Sequence, residues 1–281
     1  MTLVLKVEVV NPIRSFKGRG ADYLVHMVGR DAERFVCASA GNFGQGIAYA
    51  ARKRNKSVTV FAATNANPQK IEQMRALGAE VLLAGDDFDA AKEAAQEHAH
   101  ATGALFLEDG LLPPSMEGAG TIALELSRME DPLDAVLVPL GDGALASGIG
   151  LWLKRASPST RVVGVSAEGA PAMEISFRMG KATSTEKVST IADGIAVRVP
   201  IPEAVEDVRA YVDEVVLVSD EEIIQAMRML HADAGLVVEP AGAAGVAAAS
   251  RFRSRFAGRR VGVIVTGGNM TDDQVRRWLI V

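Results

Sequence analysis

Short runs of β-branched residues alternate with amphipathic stretches along most of this chain, and that alternation constrains its fold more than any other feature. Residues 34–39 read as a buried strand and 44–54 as a helix, followed by a second strand at 57–63. Asn67 and Pro68 mark the start of a helix that runs to residue 77 and stops at Gly78. A strand at 80–84, a helix capped by Asp87 and running through 101, and a strand at 104–107 complete this run. The pattern resumes with strands at 134–140 and 161–167 and helices at 146–156 and 172–179, the last stopped by Gly180. Residues 181–200 are less regular. Ser219 and Asp220 open a helix through residue 234, and a small-residue helix follows at 241–255. A strand at 261–265 and a helix at 271–279 close the chain. Alternation of this kind predicts an α/β fold of mostly parallel sheets with helices on both faces.

Composition narrows the function classes. The 281 residues carry 30 Lys plus Arg against 35 Asp plus Glu, a net charge of −5, which argues against a nucleic-acid binder. A hydrophobic fraction of 48% supports a large core, in one large domain or two modest ones. No apolar run reaches the roughly 18 residues of a membrane span. The best candidate, residues 235–249, is interrupted by Glu239 and Pro240. The opening residues lack the features of a secretory signal. The lone cysteine, Cys37, excludes an internal disulfide and suits a reducing compartment. A soluble, cytoplasmic protein with no membrane or nucleic-acid partner is expected.

Parallel α/β sheets bind ligands at the carboxyl ends of their strands. Three such places, and one turn near the start, carry candidate chemistry. The turn at residues 11–20 sets Lys17 between Phe16 and Gly18. A lysine whose amine is buried or charge-perturbed can act as nucleophile or base, although most lysines are simply solvated. Ser39-Ala40-Gly41-Asn42 follows a strand and opens a helix, whose free N–H groups suit an anion, or else Asn42 is only a cap. Gly141-Asp142-Gly143-Ala144-Leu145 repeats that arrangement but matches neither a Walker loop nor the dinucleotide fingerprint. Asp142 adds a negative charge that opposes an anion unless it points away. Thr266-Gly267-Gly268-Asn269 places a hydroxyl at the end of the last strand.

In this order the four segments resemble the fold-type II pyridoxal-phosphate enzymes, and within them the threonine/serine dehydratases. Further matches are Ala76-Leu77-Gly78-Ala79-Glu80, residues 118–125, Thr190-Ile191-Ala192-Asp193-Gly194 and Glu239-Pro240-Ala241-Gly242-Ala243, so the resemblance runs from about Leu5 to Asn269. It implies a two-domain, tryptophan-synthase-β-like fold, with residues 33–111 forming a small domain inserted in a large cofactor-binding domain of residues 1–32 and 112–281.

Carried over by position, Lys17 would bond covalently to the aldehyde of pyridoxal 5'-phosphate, and Asn42 would hydrogen-bond the ring oxygen. Gly141, Asp142, Gly143, Ala144 and Leu145 would hold the phosphate, and Thr266 would face the ring nitrogen. Phe16, Gly194 and Glu239 would line the cofactor, and Ser39, Ala40, Gly41 and Asn42 would receive the substrate carboxylate. The implied reaction is β-elimination from L-threonine, L-serine or a related β-hydroxy amino acid, giving a 2-oxo acid and ammonia. Relatives also hold a cation, which by spacing would fall on Glu168, Ala172 and Glu174, and they are usually homodimers.

Departures from the family pattern keep rivals open. The lysine motif comes unusually early, Asp142 and Ala144 interrupt the usual glycine run, and Phe43 stands where dehydratases often carry His. A racemase would need a second proton carrier near Ala40, which alanine cannot be. A β-replacement synthase usually has threonines in its phosphate loop, and this loop has none. A catalytically inactive homologue acting as a binding protein is the third alternative.

Overall fold

The computed structural model describes residues 1–280. Along the chain run β1 (Thr2–Val7), α1 (Lys17–Val28), β2 (Arg34–Ala38), α2 (Asn42–Lys53), β3 (Ser57–Ala62) and α3 (Pro68–Ala76). Next come β4 (Glu80–Leu83), α4 (Phe88–Thr102), β5 (Leu105–Phe106), α5 (Pro113–Leu126), β6 (Ala135–Pro139) and α6 (Ala144–Ala156). The last third holds β7 (Arg161–Ala167), α7 (Ala172–Met179), α8 (Pro202–Tyr211), β8 (Glu214–Val218), α9 (Asp220–Ala234), α10 (Pro240–Arg251), β9 (Arg260–Val265) and α11 (Asp272–Trp278). Short 3₁₀ turns occupy Asp193–Ile195 and Arg253–Phe256.

These elements form two compact units, Met1–Val10, Arg14–Phe16 and Ala119–Val281 in the larger and Asn11–Ile13 and Lys17–Gly118 in the smaller. The larger is built on a five-stranded parallel sheet in the order β1-β9-β6-β7-β8. Alternation along β6 shows why both faces are dry. Val136 and Val138 pack with Leu145 and Ile149 of α6 and Val205 and Val208 of α8. Leu137, between them, faces the other way into a cluster with Ala244 and Ala247 of α10.

The smaller unit has a four-stranded parallel sheet, β4-β3-β2-β5. Here Phe35 and Cys37 of β2 point into the cluster with Ile47 and Met74, while Val36 and Ala38 meet Ala95 and Ala99 of α4.

Local chemistry sets the helix ends. Asn67 accepts from the Gln69 N–H at 2.9 Å and Asp87 from the Ala90 N–H at 2.9 Å. Ser219 and Glu222 form a reciprocal capping box. Gly180 ends α7 in the left-handed region.

Several expectations need correction. Lys17 stands in the first turn of α1 rather than in a turn ahead of it. Gly41, not Asn42, is the residue that caps α2, and Asn42 is its first helical residue. Strands β1 and β8 and helices α5 and α8 were not anticipated. β1 (TLVLKV) and β8 (EVVLV) are the edges of their sheet, and their apolar runs are as plain as those of the strands that were expected. Residues 17–32, expected with the larger unit, group with the smaller, since α1 packs on α2 and Asp22 pairs with Arg54 at 2.6 Å.

Candidate functional site

In the larger unit the candidate segments come together through main-chain contacts. The Phe16 N–H donates to the Thr266 carbonyl at 2.8 Å, Ser15 bridges Gly267, and the Gly268 N–H donates to the Arg14 carbonyl at 2.9 Å. The Glu239 N–H donates to the Gly267 carbonyl at 3.0 Å. Thus the segment just before Lys17 is stitched to the end of β9, and the start of α10 is stitched to the same strand end. Glu239 and Thr266 are both buried.

The loop after β6 joins this group by close packing. A Cβ at Gly141 would meet the Gly194 carbonyl oxygen at 2.9 Å, and one at Gly194 would meet the Ala241 Cβ at 3.0 Å. Gly143, with φ 103°, turns the chain into α6 in a conformation that disfavours any side chain. Gly141 therefore rests on the backbone of Gly194, and Gly194 rests on the Ala241 methyl at the start of α10. Asp142 does not point away from it. Its Oδ1 accepts from the Ala144 N–H at 2.9 Å, so an anion at that amide would have to displace a carboxylate.

In the smaller unit, Lys17 extends from α1 with its side chain only 13% exposed. Its Nζ donates to both carboxylate oxygens of Asp109, at 2.8 and 2.7 Å. The Phe43 ring centroid lies 6.0 Å from Nζ. The Ser39 hydroxyl accepts from the Gly41 and Gly44 N–H groups at 3.1 and 3.0 Å, tying down the loop that leads into α2. No atom lies within 4 Å of where a Gly41 Cβ would sit, so one flank of this loop is open. Cys37 is fully buried, and its thiol is pushed up to about 12 by burial first and by the Asp109 charge second. It is an inert core residue.

Asp109 was missed. It lies in the turn after β5, beyond the carboxyl end of a strand, where ligand-binding residues collect, and no local motif marks it.

The expected cation donors are already engaged. Glu168 pairs with Arg251 at 2.6 Å, Glu174 with Arg178 at 3.2 Å, and the Ala172 carbonyl accepts from the Ser176 hydroxyl at 2.6 Å. Each carboxylate is turned to a guanidinium, although Arg251 is shared between Glu168 and Glu222. Among the described residues, no group of three or more His, Cys, Asp or Glu side chains is placed to hold one.

Comparison with known proteins decides what this arrangement belongs to. The family described as "Pyridoxal-phosphate dependent enzyme" matches residues 1–267. The chain belongs to this family. Among its relatives, an L-threonine ammonia-lyase from Thermotoga maritima is 39% identical over 277 residues, covering 98% of this chain and 69% of the relative. Against other curated threonine dehydratases the chain spans from 46% to 66% of their length. Two solved structures of the pyridoxal-phosphate family superpose closely. The processed form of threonine deaminase isoform 2 from Solanum lycopersicum gives a TM-score of 0.93 at 29% identity, covering 98% of this chain and 81% of that one. Maize serine racemase gives 0.92 at 28% identity, covering 98% and 85%. The two-sheet α/β architecture described above is thus that of fold-type II pyridoxal-phosphate enzymes.

The residues present fit that cofactor by their chemistry. A shielded primary amine stands at Lys17, Gly141 and Gly143 lead into the N-terminus of α6, and a buried hydroxyl residue, Thr266, follows β9. Asp142 is the one member of the set that opposes a phosphate.

Proposed function

We propose that this chain is a pyridoxal-phosphate-dependent ammonia-lyase that converts L-threonine, L-serine or a related β-hydroxy amino acid to a 2-oxo acid and ammonia. What supports the reading is the shielded Lys17 amine in a chain that the family matches over residues 1–267.

Lys17 would hold the cofactor through Nζ, with Asn42 toward its ring oxygen, Gly141–Leu145 around its phosphate and Thr266 toward its ring nitrogen. Phe16, Gly194 and Glu239 would line it. The chemistry this group supplies when bound is a sink for the electron pair left on the substrate Cα. The Lys17 amine takes the Cα proton. The Ser39–Asn42 loop orients the substrate by its carboxylate, using backbone N–H groups at the start of α2. A hydroxyl at Thr266, unlike a carboxylate, does not keep a ring nitrogen protonated. Negative charge at Cα is then less stabilised, and prompt loss of the β-hydroxyl is favoured. The released enamine tautomerises and hydrolyses to the 2-oxo acid and ammonia.

Likeness to a serine racemase does not extend this reading to racemisation, because Ala40 has no group that can carry a proton. Engagement of Glu168, Ala172 and Glu174 elsewhere leaves a divalent cation out of it. A homodimer in a cytoplasmic setting completes the proposal. A free buried thiol agrees with the compartment, and sedimentation would test the dimer.

Purified protein should be yellow, and borohydride should fix the cofactor to the Lys17 peptide. L-threonine or L-serine should then yield 2-oxo acid and ammonia. Colourless protein that cannot be reconstituted would favour the inactive binding homologue, and inverted chirality without ammonia would favour a racemase.

A further inference from the structure

One carboxylate in close contact with the Lys17 amine, that of Asp109, has no part in the reading above. We propose that Asp109 is a positioning residue for Lys17, holding its amine in place as an ammonium and accepting its proton when the amine must become a nucleophile. The geometry is that of a two-point ion pair, with Nζ at 2.8 and 2.7 Å from the two oxygens and with the side chains only 13% and 27% exposed. Such contact restricts a long, flexible side chain to one direction.

Asp109 is itself well anchored. Two residues earlier, the fully buried Leu107 donates its N–H to the Val36 carbonyl at 2.8 Å. Glu108, its neighbour, is paired with Lys92. The carboxylate is thus presented from a turn that follows β5 closely and is tied down on its N-terminal side. Its charge is also felt deeper in the same unit, at the buried Cys37 thiol.

An opposite charge at this distance favours the protonated amine. An ammonium has no lone pair and cannot attack a carbonyl carbon, so one Nζ–H bond must first break. Asp109 is the base in hydrogen-bond reach. One Oδ–H bond forms as that Nζ–H bond breaks, the nitrogen keeps the electron pair, and no co-reactant is consumed. Phe43, whose ring faces the same amine, favours its cationic form as well. The consequence for catalysis rests on Lys17 being the cofactor lysine, whereas the ion pair and its test do not.

The test uses the full chain freed of cofactor. Competitive acetylation with acetic anhydride across the lysine titration range, read by peptide mass spectrometry, gives the pH midpoint of Lys17 separately from its accessibility. Asp109→Asn should lower that midpoint by about one pH unit or more, and Asp109→Glu should restore it. A purely structural Asp109 would alter unfolding without moving the midpoint. Superimposable profiles in wild type and Asp109→Asn would overturn the proposal. Should Asp109→Asn not fold, the wild type decides alone by comparison with the exposed Lys187. Burial by itself lowers a lysine midpoint, so a Lys17 value at or above that of Lys187 supports the pair, and a value clearly below it refutes the pair. Failure of borohydride to fix cofactor on Lys17 would instead sink the proposed function and leave this result standing.

Discussion

The two units share one plan, a parallel sheet dry on both faces, yet they hold their candidate residues by different means. In the larger unit the contributing segments are fixed by backbone. Phe16, Glu239, Thr266 and Gly267 are tied through peptide groups, and Gly141 and Gly194 meet with no side chain between them. In the smaller unit the candidate groups are side chains held by side chains, Lys17 by Asp109, and by a hydroxyl, that of Ser39. A backbone surface presents N–H groups and excludes side chains, which suits holding a ligand. A side-chain pair can gain or lose a proton, which suits reacting with one. Mutations should therefore separate into those that damage chemistry with the fold intact and those that damage fold and binding together.

The largest effect is expected at Lys17. Lys17→Ala should leave the circular dichroism spectrum unchanged and lower ammonia release by about 10²–10⁴-fold. An activity unaffected by this change would remove the smaller unit from the chemistry. Phe35→Ala, which empties a fully packed site on β2, should cost about 3–5 kcal/mol. Both tryptophans, Trp152 and Trp278, lie in the larger unit, so their fluorescence reports that unit alone. If the units unfold independently, Phe35→Ala moves the circular dichroism transition in urea ahead of the fluorescence one. Coincident transitions would show that they unfold as one.

Gly143→Ala should cost about 1–3 kcal/mol, since it forces a side chain into φ 103° with Val208 Cγ2 only 2.9 Å from the new Cβ. A weaker affinity for the phosphate-bearing cofactor should accompany it, measured by titrating cofactor absorbance. Ser39→Ala leaves the Gly41 and Gly44 N–H groups without the hydroxyl and should cost about 1 kcal/mol.

The smallest effect concerns pH. Burial works to raise the Asp22 carboxyl, but Arg54 and Lys53 outweigh it and hold it below the usual range. A depressed carboxyl stabilises the fold above the ordinary carboxylate range, and that contribution fades as pH falls through the depressed value. Asp22→Asn should remove about 0.2–1 kcal/mol near neutrality and nothing in strong acid, as read from urea midpoints at several pH values.

Much of the fold could be read directly from the residues. β7, α7 and α9 occupy the expected spans, because β-branched runs and strong caps such as Ser219 act locally. β1, β8 and α8 were not expected although local signals were present, an apolar run in each strand and Pro202 at the first position of the helix. At the site, the order of Lys17, Ser39–Asn42, Gly141–Leu145 and Thr266 was visible because each follows from a local pattern. The direction of Asp142 was not, since whether a carboxylate turns toward or away from a helix start depends on backbone torsions no motif encodes. Nor was the pairing of Glu168 and Glu174 with arginines, although their spacing alone resembled a cation site. Arg251, which pairs with Glu168, lies far away in sequence.

Hydrophobic periodicity and helix caps are properties of neighbours along the chain, so residue order alone dictates the alternating α/β architecture and marks Lys17 as a candidate amine. Only the tertiary structure decided that this lysine meets Asp109, separated from it by 92 positions, and that Gly141 rests on Gly194. Contacts at that separation depend on how sheets and helices stack, and the energy of an ion pair or a close backbone approach exists only once the stack has formed.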